Sequence, residues 1–256
     1  MEFQTLKIDI ADHIAVVTLN RPPVNALNVQ MRNDLIEAFD NLSDIDEVRA
    51  IVLTGSGKVF CAGADIRDRP DVTKTGAYGK HNRLTRESYF AVVECTKPMI
   101  AAINGPALGA GFGLVMASDI WVASEAAVVS LPEINVGLAG GMTFLHRYFS
   151  QSRARRMFYT GMQVSAAELY RLGLVEACLP PDQLMPYCMD IARELCDKAP
   201  IALAKAKEAA RLTPPMPQRD AYRWEQNITA TLAATEDTKE AQRAIFEKRK
   251  PVCKGR

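Results

Sequence analysis

Residues 98–113 read PMIAAINGPALGAGFG: an apolar run, a break at Asn104-Gly105-Pro106, then a segment of small residues. A buried strand, a turn and the opening of an apolar helix is the reading this stretch imposes. The same grammar recurs on both sides. His13–Leu19 (HIAVVTL) and Arg49–Thr54 (RAIVLT) are apolar runs closed by Asn20-Arg21-Pro22-Pro23 and Gly55-Ser56-Gly57, and Ile120–Ala123 and Ala127–Leu131 follow. The chain also begins almost directly with a strand-like segment. Between the first two runs, Met31, Leu35, Ala38, Phe39 and Leu42 recur at helical spacing. Strands separated by helices predict an α/β fold with a buried, largely parallel sheet. Asp68–Glu87 is polar without a clean period and is expected to be an irregular, flexible wall of a site.

Beyond about residue 141 the character turns helical. Ser165-Ala-Ala-Glu168 is a capping-box pattern with Gly173 placed to end its helix. Asp182–Asp197, Ile201–Leu212 and Glu236–Arg249 carry further helical stripes. The expected organisation is a core over residues 1–190 and a helical C-terminal region over 191–256.

The bulk properties exclude more than they identify. A chain of 256 residues with 48% hydrophobic and 24% charged residues can bury a sizeable core. A formal net charge of +1 gives no global field for nucleic acid or a membrane surface. No apolar run approaches the ~20 residues that span a bilayer, and no leader segment is evident. Six scattered cysteines without a C-x-x-C pair read as free thiols in a reducing compartment, so a cytoplasmic protein is expected.

Two glycine clusters resemble nucleotide motifs and fail. Gly55-Ser-Gly-Lys58 would need a glycine at Val52 and a hydroxyl at Val59 to be a P-loop. Gly109-Ala-Gly-Phe-Gly113 would need a third glycine at Leu114 to bind a dinucleotide. Three histidines with no metal-ligand spacing argue against zinc. Two small-residue loops remain: Phe60-Cys-Ala-Gly-Ala-Asp65-Ile66 and Asn104–Gly113. Such loops either permit close packing or present backbone N–H donors to a ligand oxygen, and the residues alone leave both readings open.

Taken with Leu19-Asn-Arg-Pro22, Asn25-Ala-Leu-Asn28, Leu131-Pro-Glu133 to Gly137 and Phe246-x-Glu-Lys-Arg249, these loops make the whole chain resemble the enoyl-CoA hydratase/isomerase (crotonase) family. The resemblance implies a ββα spiral core, a helical C-terminal trimerisation region, and a homotrimer or dimer of trimers. It also implies acyl-CoA thioester substrates of the fatty acid metabolism type, with no metal or redox cofactor and coenzyme A present only as part of the substrate. Ala64 and Ala110 match the positions whose N–H groups form the oxyanion hole, and Glu133 matches the second of two catalytic glutamates. Cys61, Ala62, Ala64, Asp65 and Ile66, with Gly109, match the segments that hold coenzyme A. The first glutamate falls at Gly113, which has no side chain.

One carboxylate suffices to move a proton between two carbons of an enolate, the isomerase reaction, and can assist hydration. A hydrolase, a hydratase/lyase or a non-catalytic thioester-binding protein are the alternatives that Gly113 leaves open. Asp65 and Asp119 read as structural. Lys248, Arg249 and Lys250 read as a solvated face or as a contact to a coenzyme A phosphate, and Tyr78, Tyr89, Phe90 and Phe144 as pocket or core.

Overall fold

The computed structural model describes residues 1–256. In chain order the elements are β1 (Leu6–Ala11), β2 (Ile14–Leu19), α1 (Val29–Asp44), β3 (Ala50–Gly55), α2 (Ala77–Glu94), β4 (Met99–Ile103), β5 (Ala107–Leu108), α3 (Ala110–Ala117), β6 (Ile120–Ser124) and β7 (Val128–Ser130). Then come α4 (Met142–Tyr148), α5 (Gln151–Thr160), β8 (Val164–Ser165), α6 (Ala166–Arg171), β9 (Cys178–Leu179), α7 (Pro181–Cys196), α8 (Pro200–Leu212), α9 (Gln218–Ala233) and α10 (Glu236–Phe246). Short 3-10 turns occupy Ile66–Asp68 and Pro132–Val136.

Six strands form the main sheet in the order β1-β2-β3-β4-β6-β9. Only the β1–β2 pair is antiparallel, and β2 onward is parallel. The strands read as unbroken apolar runs because both sheet faces are covered. Ile51 and Leu53 of β3, with Ala101 and Ile103 of β4, enter the larger core, while Val52, Ile100 and Ala102 face the other way. That second face is sealed by α7, whose Leu184, Cys188 and Ala192 repeat every four residues. The residue-190 line therefore falls inside a helix that packs on the sheet; beyond α7 every element is helical.

Each turn of the chain also lays a short segment into a second layer. Leu27, after β2, bridges Ala64, and Cys61, after β3, bridges Ala107. β5, after β4, pairs with β7, which pairs with β8. One long strand, one short extended segment and one helix per turn is the ββα spiral that the resemblance implies. It brings the 60–66 loop, the start of α3 and the segment after β7 side by side.

The expectation for residues 68–87 needs correction, because α2 begins at Ala77 and its first half is regular helix. Hydropathy misses it because its inward face is not apolar. Tyr78, Asn82, Thr85 and Tyr89 recur at spacings of four and three and line a cavity, with only Tyr89 also packing against the core. Ser165 does cap α6, accepting from Glu168 N at 3.3 Å, with Gly173 beyond its end at φ 70°. The Glu168 carboxylate instead pairs with Arg153 and Arg171, so half of the capping box forms. Asp119 is a structural joint: it accepts from Met99 N and pairs with the buried Lys207 of α8 at 2.9 Å.

Candidate active site

A cavity of about 420 Å³ opens where the spiral's loops converge, between α1, α2, α3 and the segment that follows β7. Ala64, Asp65, Gly109, Ala110 and Glu133 all line it, as do Tyr78, Tyr89 and Phe144. Phe90 does not; it faces a separate hollow between α1 and α2. Cys61 lies buried beneath, Ala62 is half-buried with its N–H given to Val24 O, and Ile66 is 67% exposed.

The two small-residue loops touch directly. Cys61 N donates to Pro106 O and Leu108 N to Cys61 O, so the loops form a short parallel ladder. A Cβ on Gly111 would overlap the Cys61 carbonyl, which shows that close packing is part of what these glycines do. The same loops also leave backbone N–H groups without an acceptor. Gly63 O and Asp65 N are both spent on Leu27, so the intervening Ala64 N–H faces the opposite side, toward the cavity. Ala110 is the first residue of α3, where no preceding turn supplies an acceptor for its N–H. The helix end adds positive electrostatic potential there.

Asp65 is not free to do chemistry. It accepts from Arg67 N and the Arg67 and Arg21 guanidiniums, and these bonds hold its carboxyl well below the usual range. It thereby fixes the turn that presents Ala64. Buried Asn25 locks the same loop from behind, its Nδ2 donating to Ser56 O and Val59 O. The buried Cys61 thiol is pushed up to about 12 by desolvation and stays protonated.

Glu133 stands apart. It occupies the first turn of the short 3-10 segment after β7, with Pro132 fixing the entry. A Cβ on Gly109 would lie 2.5 Å from Glu133 Oε1, so the bare glycine at φ 53° is what admits the carboxylate. Oε2 is buried without a hydrogen-bond partner, and burial pushes the carboxyl above its ordinary range. Of the cavity's carboxylates, Asp65 is committed to guanidiniums and Glu133 is uncommitted.

The place of the missing first glutamate is filled. A Cβ on Gly113 would come within 2.8 Å of Cε1 and Cζ of Tyr89. The Tyr89 hydroxyl donates to Ala110 O at 3.3 Å and its ring packs edge-on to Phe144. Burial raises the phenol above its normal pKa, so it remains neutral. Neither a carboxylate from residues 68–87 nor any other acid replaces the absent glutamate in the cavity lining.

Sequence reasoning missed Arg32, His81 and Thr85, which also line the cavity. Positions 78, 81, 82, 85 and 89 share one face of α2, and that spacing was the available signal for the latter two; nothing in the apolar stripe of α1 flags Arg32.

The comparisons agree along the whole chain. The family model of enoyl-CoA hydratase/isomerase matches residues 9–256. The chain is 35% identical over 250 residues to a Bacillus subtilis protein described as an enoyl-CoA hydratase/isomerase, covering 95% of each. It is 34% identical over 252 residues to the carnitinyl-CoA dehydratase of Salmonella paratyphi A, again covering 95% of each. The crystal structure of an enoyl-CoA hydratase from Bacillus anthracis superposes with a TM-score of 0.92 at 32% identity, over 99% of this chain and 100% of that one. Fold, loop order and sequence thus converge, and the chain belongs to the enoyl-CoA hydratase/isomerase family.

Proposed function

We propose that the protein acts on 2- or 3-enoyl-CoA thioesters through an enolate, with Glu133 as the single acid/base and the N–H groups of Ala64 and Ala110 as the oxyanion donors. The observation that carries this reading is the uncommitted, desolvated carboxylate of Glu133 facing the helix end that opens at Ala110. In the isomerase direction, Glu133 takes a proton from C2 of a 3-enoyl thioester. The electron pair moves onto the thioester oxygen, where two amide donors are typically worth a few kcal/mol each, ~2.7–4 by analogy with other oxyanion holes. The same carboxyl then returns the proton to C4, giving the 2-enoyl product. A base with a raised pKa is suited to holding the proton between these steps.

Hydration by the same group requires Glu133 to take the proton of the attacking water and deliver it to C2. Tyr89 over Gly113 removes the second carboxylate that would share this work, which favours isomerisation. Crotonyl-CoA and a 3-enoyl-CoA, followed by absorbance and mass spectrometry, separate the two. Double-bond migration without mass change supports the isomerase, and gain of one water supports the hydratase. The Glu133→Gln variant should lose ~10²–10⁴ in turnover on either. Full activity in that variant would remove Glu133 from the mechanism, and silence of the native chain on both thioesters and on their ω-carboxylated counterparts would overturn the proposal.

A further inference from the structure

Arg32 has no role in the chemistry just described, and its placement calls for one. It follows Met31 in the first turns of α1, on the helix side that carries the core stripe, and is 1% exposed. Its Nε and Nη1 have no hydrogen-bond partner. A buried guanidinium is stable only when paired and hydrogen-bonded. The two carboxylates that act on it through space are committed elsewhere: Asp65 to Arg21 and Arg67, Asp68 to Val29 N at 2.7 Å. Burial accordingly disfavours its charged form.

The arginine lines the cavity together with Arg69 and His81. Tyr89 and Cys61 lie in its neighbourhood, and both touch glycines of α3 at the cavity's inner side. Apart from Asp65, the cavity's carboxylate is Glu133, whose charge the proton transfer requires. Burial holds His81 toward its neutral form, so the wall's cations are Arg32 and Arg69, and no side-chain carboxylate of the cavity hydrogen-bonds Arg32. A guanidinium is a strong, charge-assisted partner for a carboxylate.

We propose, building on the acyl-CoA reading above, that Arg32 is a specificity-determining residue that binds a carboxylate on the acyl chain, so that the preferred substrates are carboxyacyl-CoA thioesters. The anion could instead belong to the coenzyme A moiety, and the test separates these sources. Saturated thioesters undergo no double-bond chemistry, so their binding reads recognition independently of Glu133. Glutaryl-CoA and adipyl-CoA are titrated calorimetrically against their neutral counterparts pentanoyl-CoA and hexanoyl-CoA. The proteins are the full native chain, Arg32→Met and Arg32→Lys.

At least one carboxylated member should bind the native chain ten-fold or more tightly than its neutral match. Arg32→Met should abolish that preference and Arg32→Lys retain part of it. Because Arg32→Met removes an unpaired buried charge, its melting temperature should equal or exceed that of the native chain, which a purely structural arginine would not allow. Equal binding of both classes by the native chain overturns the inference whatever the variants do. Equal weakening of both by Arg32→Met assigns the guanidinium to coenzyme A and overturns it too. If no thioester binds, the acyl-CoA reading itself falls and this inference with it, whereas equal tight binding removes Arg32 alone.

Discussion

Glu133 is held against Gly109 on one oxygen and left unpartnered on the other, and that asymmetry has a thermodynamic signature. Its carboxyl is pushed upward by burial in the folded state, so the folded chain prefers the protonated form more strongly than the unfolded chain does. The resulting stability is fully present on the acid side of the ordinary glutamate range and is lost as pH rises through the folded-state value. At neutral pH the ionised side chain thus works against folding. Glu133→Gln should melt higher than the native chain at neutral pH, with the gap closing as the buffer is acidified below the ordinary glutamate value. Paired thermal scans across that window check this; a gap of constant size would mean that Glu133 is not desolvated. Residues whose role depends on such surroundings are the hardest to read from sequence. Glu133 was legible because a family pattern pointed to it. Arg32 was not, since a lone arginine beside a helix stripe looks like a solvated side chain until its burial is seen.

The helices α2 and α3 meet where Tyr89 covers Gly113, and the two positions behave as one unit. Gly113→Glu alone should fail to create a two-carboxylate hydratase, because its side chain would meet the Tyr89 ring. The overpacking should cost ~1–3 kcal/mol of stability. Combined with Tyr89→Ala the glutamate gains room, and the double variant should recover stability and raise the hydration rate above that of either single variant. A double-mutant cycle should show a favourable coupling of ~0.5–3 kcal/mol, and strict additivity would mean the ring moves aside freely. Element reading from sequence succeeded wherever a segment faces the apolar core, as in β2, β3, β4, β6 and the stripe of α1. It failed on the first half of α2, where Asn82 and Thr85 line the cavity beside Tyr78, so helical period and hydropathy part company. The 16-residue α9 passed unread for a related reason: it buries no residue within the chain.

Across the whole molecule, the C-terminal helices α9 and α10 leave large apolar side chains uncovered. Tyr222 on α9 and Ile245 and Phe246 on α10 are 62%, 74% and 87% exposed. No helix is long and apolar enough to cross a membrane. We propose that these helices bury their apolar side chains against second and third copies of the chain, as the family resemblance implies. Light scattering after size-exclusion chromatography should give three or six times the chain mass. Phe246→Asp should shift the distribution toward the monomer without unfolding the core, since this side chain is already solvated within one chain. A monomeric native chain at micromolar concentration would overturn the proposal.

The loop-to-loop ladder between Cys61 and residues 106–108 carries one further consequence. On the proposed mechanism the groups that activate the thioester are main-chain amides, which no codon change can delete except to proline. Carbonyl activation is therefore inherited with the backbone, while the proton chemistry rests on one replaceable side chain. A library randomised at Gly113, Tyr89 and Glu133 would explore new reactions from a starting point that already polarises its substrate, and inactive members should still capture thioesters.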